Sequence, residues 1–320
     1  MMLITPEAIE ILKEKFGKNC QFNIALAPFT TAQVGGPAKV LITIENRESL
    51  IEAIKFCWEN ELRYQIIGSG SNILVHEDGF NGVIILNRSK NIVINFDKNP
   101  PEIHVESGAN LSLVARKAAL SGIAGLEWAA TIPGTIGGAV YGNAGAHHSD
   151  MSQNLILVEI LQQLSEPVYW TVEQMEYSYR SSALKRKPQK AAILSAKLKG
   201  FQDNSEEIQK RTRSFINYRK KTQPTGASMG SMFKNPPGDF AGRLIECAGL
   251  KGTSVGGVTV SPIHANFFLN SERATSNDYW KLIQLVQKTV YEKFAVNLDL
   301  EIELLGFPEQ PSDAILNVER

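Results

Sequence analysis

Gly68-Ser69-Gly70-Ser71-Asn72 follows the apolar pair Ile66-Ile67. A strand running into such a stretch can turn successive backbone N–H groups into one concavity. Glycine permits the positive φ this needs, and the serines add short donors. The chemistry it suits is anion binding, most naturally of phosphate, although a plain glycine-rich turn fits the same five residues. Six glycines lie between Gly125 and Gly145, among them those of Ile132-Pro133-Gly134-Thr135-Ile136-Gly137-Gly138 and Asn143-Ala144-Gly145. Backbone without side chains can approach an extended ligand closely. The spacing is neither GxGxxG after a strand nor GxxxxGK[ST], so Rossmann and P-loop readings fail. The alternative is an irregular packed loop. Two such cradles in one domain favour a large cofactor with a pyrophosphate.

Three further stretches hold groups that could move protons or stabilise charge. Tyr177-Ser178-Tyr179-Arg180 sets an arginine among aromatics, which taken alone is more often a surface ion pair or a stack. Gly230-Ser231-Met232-Phe233-Lys234-Asn235 holds a serine in a glycine-rich loop with a lysine and an asparagine. With no GxSxG elbow and no His–Asp set, a hydrolase triad is disfavoured, but a held hydroxyl can hand over a proton. Leu298–Leu305 alternates, with Asp299, Glu301 and Glu303 on one face; by pattern alone that face belongs to solvent on an edge strand. His147 and His148 are adjacent, so they point apart on an extended segment, and no third ligand stands nearby; no metal is expected. His264, between Pro262 and Asn266, reads as a buried hydrogen-bonded histidine or as a pocket residue.

Several elements must position these groups. Thr5-Pro6-Glu7 starts a helix, and Ile9, Leu12 and Phe16 continue it to Gly17. Between Val40 and Leu198 strands and helices alternate. Strands are expected at Lys39–Ile44, Tyr64–Ile67, Val83–Leu86, Ile92–Phe96, Ile103–Glu106 and Ala192–Leu198. Helices are expected at Ser49–Asn60 and Leu111–Ser121, with a hairpin at Ile156–Leu164 and Val168–Val172. Polar residues 200–205 mark a boundary. A long helix over 206–220, short helix 241–248, strand 266–269, long helix 277–294 and strand 298–305 follow. The domains expected are a helical appendage over 1–28, a cofactor domain over 29–202, a substrate lobe over 203–306 and a loosely held tail over 307–320.

The chain has 320 residues, with Lys plus Arg and Asp plus Glu both 33 and a net charge of zero. That disfavours bulk electrostatic gripping of nucleic acid and polybasic membrane binding. No apolar run reaches the roughly 18 residues of a membrane span. The N-terminus lacks a basic stretch leading into an apolar one, so no secretory signal is visible. Three scattered cysteines fit a reducing cytoplasm better than a disulfide framework.

Taken together and in order, these segments resemble the UDP-N-acetylenolpyruvoylglucosamine reductase family. The likeness runs from about Phe29 to Gly306. It is carried by Val34-Gly35-Gly36-Pro37-Ala38, residues 68–75, Gly125-Leu126-Glu127, residues 132–139, Asn143-Ala144-Gly145, Tyr179-Arg180, residues 230–236 and Leu298–Gly306. The short gap from Arg180 to Thr222 matches the family's shorter-loop subclass.

The resemblance implies an α+β fold: an FAD-binding unit of the vanillyl-alcohol-oxidase type, made of two α/β subdomains, then a smaller α+β substrate lobe. It implies FAD bound tightly and without a covalent link. The holding residues would be Gly68, Ser69, Gly70, Ser71, Asn72, Ile132, Pro133, Gly134, Thr135, Gly137, Gly138, Asn143 and Gly145. NADPH would be the hydride donor and a UDP-sugar enolpyruvyl ether the acceptor, in peptidoglycan precursor synthesis. Arg180, Ser231 and Glu301 would be catalytic. Arg180 and a protonated Glu301 would stabilise the developing anion, and Ser231 would protonate it. Tyr179, Lys221, Lys234, Asn235 and His264 are the substrate-binding candidates. A nucleic acid or membrane partner is not expected, and a monomer is favoured. Two rivals remain. An oxidase of the same fold would often carry flavin on a histidine or cysteine. A degenerate UDP-sugar sensor would lack one of the three catalytic candidates.

Overall fold

A computed structural model describes residues 4–187, 190–271 and 273–308, and the elements below are those of these residues. The expected tail lies outside the described residues from 309 onward. Phe307 itself is packed, its ring meeting those of His76 and Trp280.

The first sheet runs in the order Cys20–Ala25, Pro37–Ile44, Phe80–Asn87, Tyr64–Ile67. The last three strands are mutually parallel, and Cys20–Ala25 adds antiparallel to Pro37–Ile44. Val40-Leu41-Ile42 and Val83-Ile84-Ile85 are buried on both faces, as a parallel sheet covered on two sides requires. Val40, Ile42, Val83 and Ile85 pack under helix Arg47–Glu59 with Leu50, Ile54 and Cys57; Leu41 and Ile84 point the other way, toward Val75 and Leu305. Asn46 begins that helix, its side chain accepting the Ser49 amide at 2.9 Å. Residues 4–28, expected to be an appendage, are built into this sheet. Their strand is hydrogen-bonded into this sheet, and Leu12 of helix Pro6–Phe16 is fully buried in its core.

The second sheet is antiparallel, in the order Val168–Thr171, Leu155–Gln162, Ala191–Lys199, Glu102–Glu106, Ile92–Asn95. Helix Leu111–Leu120 covers it with Val114, Ala115 and Ala118. The glycine-rich stretch is more regular than its composition suggests. Glu127–Thr131 forms a 3-10 turn, and Ile136–Gly142 forms a helix capped by Thr135. Ile136, Ala139 and Val140 are spaced as a helical stripe and are buried, which outweighs the glycines' poor propensity.

Arg47 of the first unit clamps Glu159 of the second. Its Nε donates to both carboxylate oxygens, at 3.2 and 3.0 Å, and Nη2 also reaches Oε1. Glu159 is 5% exposed. Burial pushes its carboxyl up, but hydrogen bonds from Arg47 and Ser195 outweigh that and hold it below the ordinary value. Arg47→Met is expected to cost about 3 kcal/mol by leaving a buried charge without its partner. The depressed carboxyl contributes stability above the unfolded value near 4.5 and loses it as pH falls through the lower folded one. The melting-temperature gap between parent and variant should therefore narrow on acidification. A pH-independent gap would refute the account.

The last third packs helices Ala241–Cys247 and Ser276–Phe294 on a small antiparallel sheet of Ser254–Val255, Val258–Val260 and Phe268–Asn270. A capping box between Thr275 and Asp278 starts the long helix. Its core includes Ala32, Val34 and Leu74 from the first unit. Two features cross the boundary expected near residue 203. Helix Ser205–Thr222 packs back on the cofactor side, with Ile208 against Ala119 and Ala124 and Arg211 paired to Glu127. Of the strand expected over Leu298–Leu305, only Glu303–Leu305 is regular, and it pairs parallel with Ile73–Val75.

Candidate active site

A cleft of ≈ 400 Å³ opens where these units meet, a size usual for small-molecule sites. One wall is the loop Gly68–Asn72. It leaves the end of strand Tyr64–Ile67 and enters Ile73–Val75. Gly70 is at φ +61, and a Cβ there would overlap the Phe29 carbonyl oxygen. The loop is held from outside by Thr31 N–H donating to Gly70 O at 3.0 Å and Arg88 Nη1 donating to Gly68 O at 2.7 Å. The facing wall is Ile132–Thr135. A Cβ on Gly68 would overlap the Thr135 hydroxyl, so the absence of a side chain lets the two loops close together. Ser71 donates to Pro133 O at 3.3 Å.

The backbone N–H groups of Ser69, Gly70, Ser71 and Gly134 donate to no acceptor among the described residues. Lining the cleft without a protein partner, they are left to water or to the oxygens of a ligand. Four free amides on two facing glycine loops suit the oxygens of a pyrophosphate. Apolar Ile66, Ile67, Leu111, Ile132 and Leu304 line the same cleft and suit a flat aromatic ring system. The residues present fit FAD.

Arg180 and Glu301 come together at the cleft. Ser178 and Ser181 exchange backbone hydrogen bonds, both 3.1 Å, and Arg180 sits at the tip of this turn with φ +54. A non-glycine residue in that region is strained, and such strain concentrates at functional positions. Asn143 braces the turn by donating to Ser178 O at 3.2 Å. Arg180 Nε lies 2.8 Å from Glu301 Oε1, without the alignment of a hydrogen bond. Both side chains are largely covered, 24% and 16% exposed. Burial raises the Glu301 carboxyl above its ordinary value despite the opposing charges of Arg180, Lys185 and Lys234. The alternation that put Glu301 on a solvent face was thus misleading by itself.

Ser231 reaches the cleft by backbone pairing. It bridges Phe267, while Met232 O accepts the Glu301 amide at 2.9 Å. Buried Asn266 acts as a substitute strand partner: its side chain accepts Phe233 N–H at 2.9 Å and donates to Phe233 O at 2.8 Å. His264, chosen from sequence in this region, does not line the cleft. Its Nδ1 accepts the Asn266 amide at 3.3 Å and its ring packs on Phe267.

Of the cofactor candidates, Gly68, Ser69, Gly70, Ser71, Asn72, Ile132, Pro133, Gly134, Thr135, Gly138 and Gly145 line the cleft. Gly137 and Asn143 do not. Gly137 packs against Ser107, and Asn143 is buried beneath the Arg180 turn. Tyr179, Lys221, Lys234 and Asn235 stand outside the lining. Lys234 still bears on Glu301 electrostatically, Asn235 caps helix Ala241–Cys247, and Tyr179 is 55% exposed. The sequence reading missed Tyr141, Lys185, Arg219, Gln223 and Phe267, which do line it. Arg219 stands in the last turn of helix Ser205–Thr222 and Gln223 just past its end in extended backbone, so helical periodicity alone does not bring the two together. His147 and His148 make a two-residue turn, both at positive φ, with His147 stacked on Phe215 at 4.1 Å. Among the described residues no group of three His, Cys, Asp or Glu could hold a metal. No helix among them is long and apolar enough to cross a membrane.

Comparison with known proteins follows the same division. A family model for the FAD binding domain matches residues 38–164. One for the C-terminal domain of UDP-N-acetylenolpyruvoylglucosamine reductase matches residues 222–305. The reductase of that name from Protochlamydia amoebophila is 40% identical over 92% of this chain and 96% of its own length. The Bacillus subtilis one is 37% identical over 94% and 98%. The crystal structure of the Thermus caldophilus reductase superposes with a TM-score of 0.75 at 34% identity, covering 88% of this chain and 97% of that one.

Proposed function

Since the chain belongs to the UDP-N-acetylenolpyruvoylglucosamine reductase family and is an FAD-dependent oxidoreductase, we propose that it uses NADPH to reduce the enolpyruvyl ether of UDP-N-acetylglucosamine to UDP-N-acetylmuramate. The reaction consumes one NADPH and one proton per double bond. The setting is peptidoglycan precursor synthesis in the cytoplasm. The observation that carries the reading is the convergence of Arg180, Ser231 and Glu301 on the cleft lined by both glycine loops.

When bound, FAD supplies hydride transfer from NADPH to the terminal enolpyruvyl carbon. Ser69, Gly70, Ser71 and Gly134 would hold its pyrophosphate through their free amides. Hydride addition leaves negative charge on the neighbouring carbon and its carboxylate. Arg180 offers a fixed positive charge to it. Glu301, whose carboxyl burial raises above its ordinary value, in its protonated form offers a neutral hydrogen-bond donor that does not repel the anion. Ser231 delivers a proton to the carbon, and the hydroxyl is refilled from solvent. Domain closure by the last third over the sugar nucleotide, with Lys221, Lys234 and Asn235 near the diphosphate, completes the proposal.

The visible spectrum tests it in one cuvette. The purified protein should show bound flavin, bleach on anaerobic addition of NADPH, and recover with the enolpyruvyl sugar nucleotide. Bleaching without recovery would direct the search to another acceptor. Release of all flavin on denaturation would also exclude a covalent bond to His147 or His148.

A further inference from the structure

Four ionisable side chains from three elements line the cleft together: Arg180 from the tight turn, Lys185 from helical turn Ala183–Arg186, and Glu301 and Glu303 from the last segment. Arg180 Nε lies 2.8 Å from Glu301 Oε1, and Lys185 Nζ pairs with Glu303 Oε1 at 2.5 Å. Lys185 is the more covered member of its pair, 18% exposed against 46% for Glu303. An ammonium so far removed from water needs a carboxylate. Among the described residues lining the cleft, Glu301 is the only carboxylate besides Glu303.

We propose that Glu303 is a positioning residue: by holding the Lys185 ammonium it keeps that charge from pairing with Glu301, which is left to Arg180 and the reacting atoms. This rests on the role proposed above for Glu301. The cationic groups facing Glu301 are Arg180, Lys185 and Lys234, with Arg219 lining the same cleft, and Tyr141 lies near Glu303. Burial keeps a carboxyl neutral, whereas an uncompensated ammonium nearby favours its ionised form. If protonated Glu301 is the working form, activity is present below its titration and lost above it. Freeing Lys185 therefore moves the alkaline limb to lower pH.

The test is the pH dependence of single-turnover flavin reoxidation by the enolpyruvyl sugar nucleotide in the parent, E303Q, E303D and the double variant K185M/E303Q. A second readout is independent of turnover: the infrared carbonyl band of protonated Glu301, assigned by its loss in E301Q and followed through the same pH range. E303Q should lower both the kinetic limb and the carbonyl titration by about one pH unit. K185M/E303Q should return both toward the parent, and E303D, which keeps the charge, should stay near it. E301Q keeps a neutral donor and serves only to assign the band; parental activity in E301A would refute the role of Glu301 itself. An impaired E301A with an unshifted E303Q, a double variant that stays shifted, or an E303D shift equal to that of E303Q would overturn the role of Glu303.

Discussion

Ser231→Ala is expected to slow flavin reoxidation by the enolpyruvyl sugar by about 10²–10⁴-fold, the usual worth of a positioned general acid, while NADPH reduces the flavin at the parental rate. The two half-reactions separate because the first needs no proton delivered to carbon. The loss should be chemical and not architectural. Ser231 is placed by its bridge to Phe267, and the adjoining Met232 and Phe233 are held by the Glu301 amide and Asn266. None of these contacts uses the Ser231 hydroxyl. Removing one oxygen thus leaves the loop, the Arg180–Glu301 pair and the cleft wall in place. Stopped-flow absorbance of each half-reaction, with the melting temperature as a check on folding, decides the matter. Equal slowing of both halves would make Ser231 structural.

Gly70→Ala should strip the protein of flavin. A side chain at φ +61 costs about 1–2 kcal/mol. Its Cβ would also overlap the Phe29 carbonyl oxygen and come within 2.8 Å of Thr30 Cα, and both are backbone atoms that no rotamer change can clear. The loop must then move away from Phe29–Thr31, breaking the Thr31 to Gly70 hydrogen bond and displacing the free amides of Ser69 and Ser71. A shift of a few tenths of an ångström at several charge-assisted donors is expected to cost about 3 kcal/mol, or a hundredfold in affinity. Flavin retained per mole of protein after gel filtration, and fluorescence titration of the apoprotein with FAD, measure this. Gly226→Ala is the control. Gly226 also has positive φ, but its added Cβ would meet nothing within 4 Å, so flavin should be retained. Parental FAD affinity in the Gly70 variant would refute the cradle assignment.

The elements could be read from sequence because their causes are local. Thr5, Asn46, Asn110 and Thr275 cap helices through bonds to amides three residues on, and apolar periodicity states which face each helix buries. The parallel core strands announced themselves as unbroken runs of valine, leucine and isoleucine. The glycine loops were visible for the same reason: only glycine suits the tight approach of residue 70 to the Phe29 carbonyl or of residue 68 to Thr135. The fate of Glu301 had no local cause. Alternation over Leu298–Leu305 describes a strand with one wet face, but the segment is regular only from Glu303. Its neighbours are Asn72, whose side chain donates to Glu301 O at 3.1 Å, and Met232, whose carbonyl accepts the Glu301 amide. Those partners lie 229 and tens of residues away in the chain. Likewise Asn143 carries the same residue type whether it faces a cofactor or a turn. Packing turned it beneath Arg180, and Lys185, which no motif marked, came to line the cleft. Short-range hydrogen bonding and periodicity act within a few residues and are written in the chain. Whether a charged side chain meets water, a partner or a ligand depends on surfaces brought together from distant segments, and that is settled when the units pack.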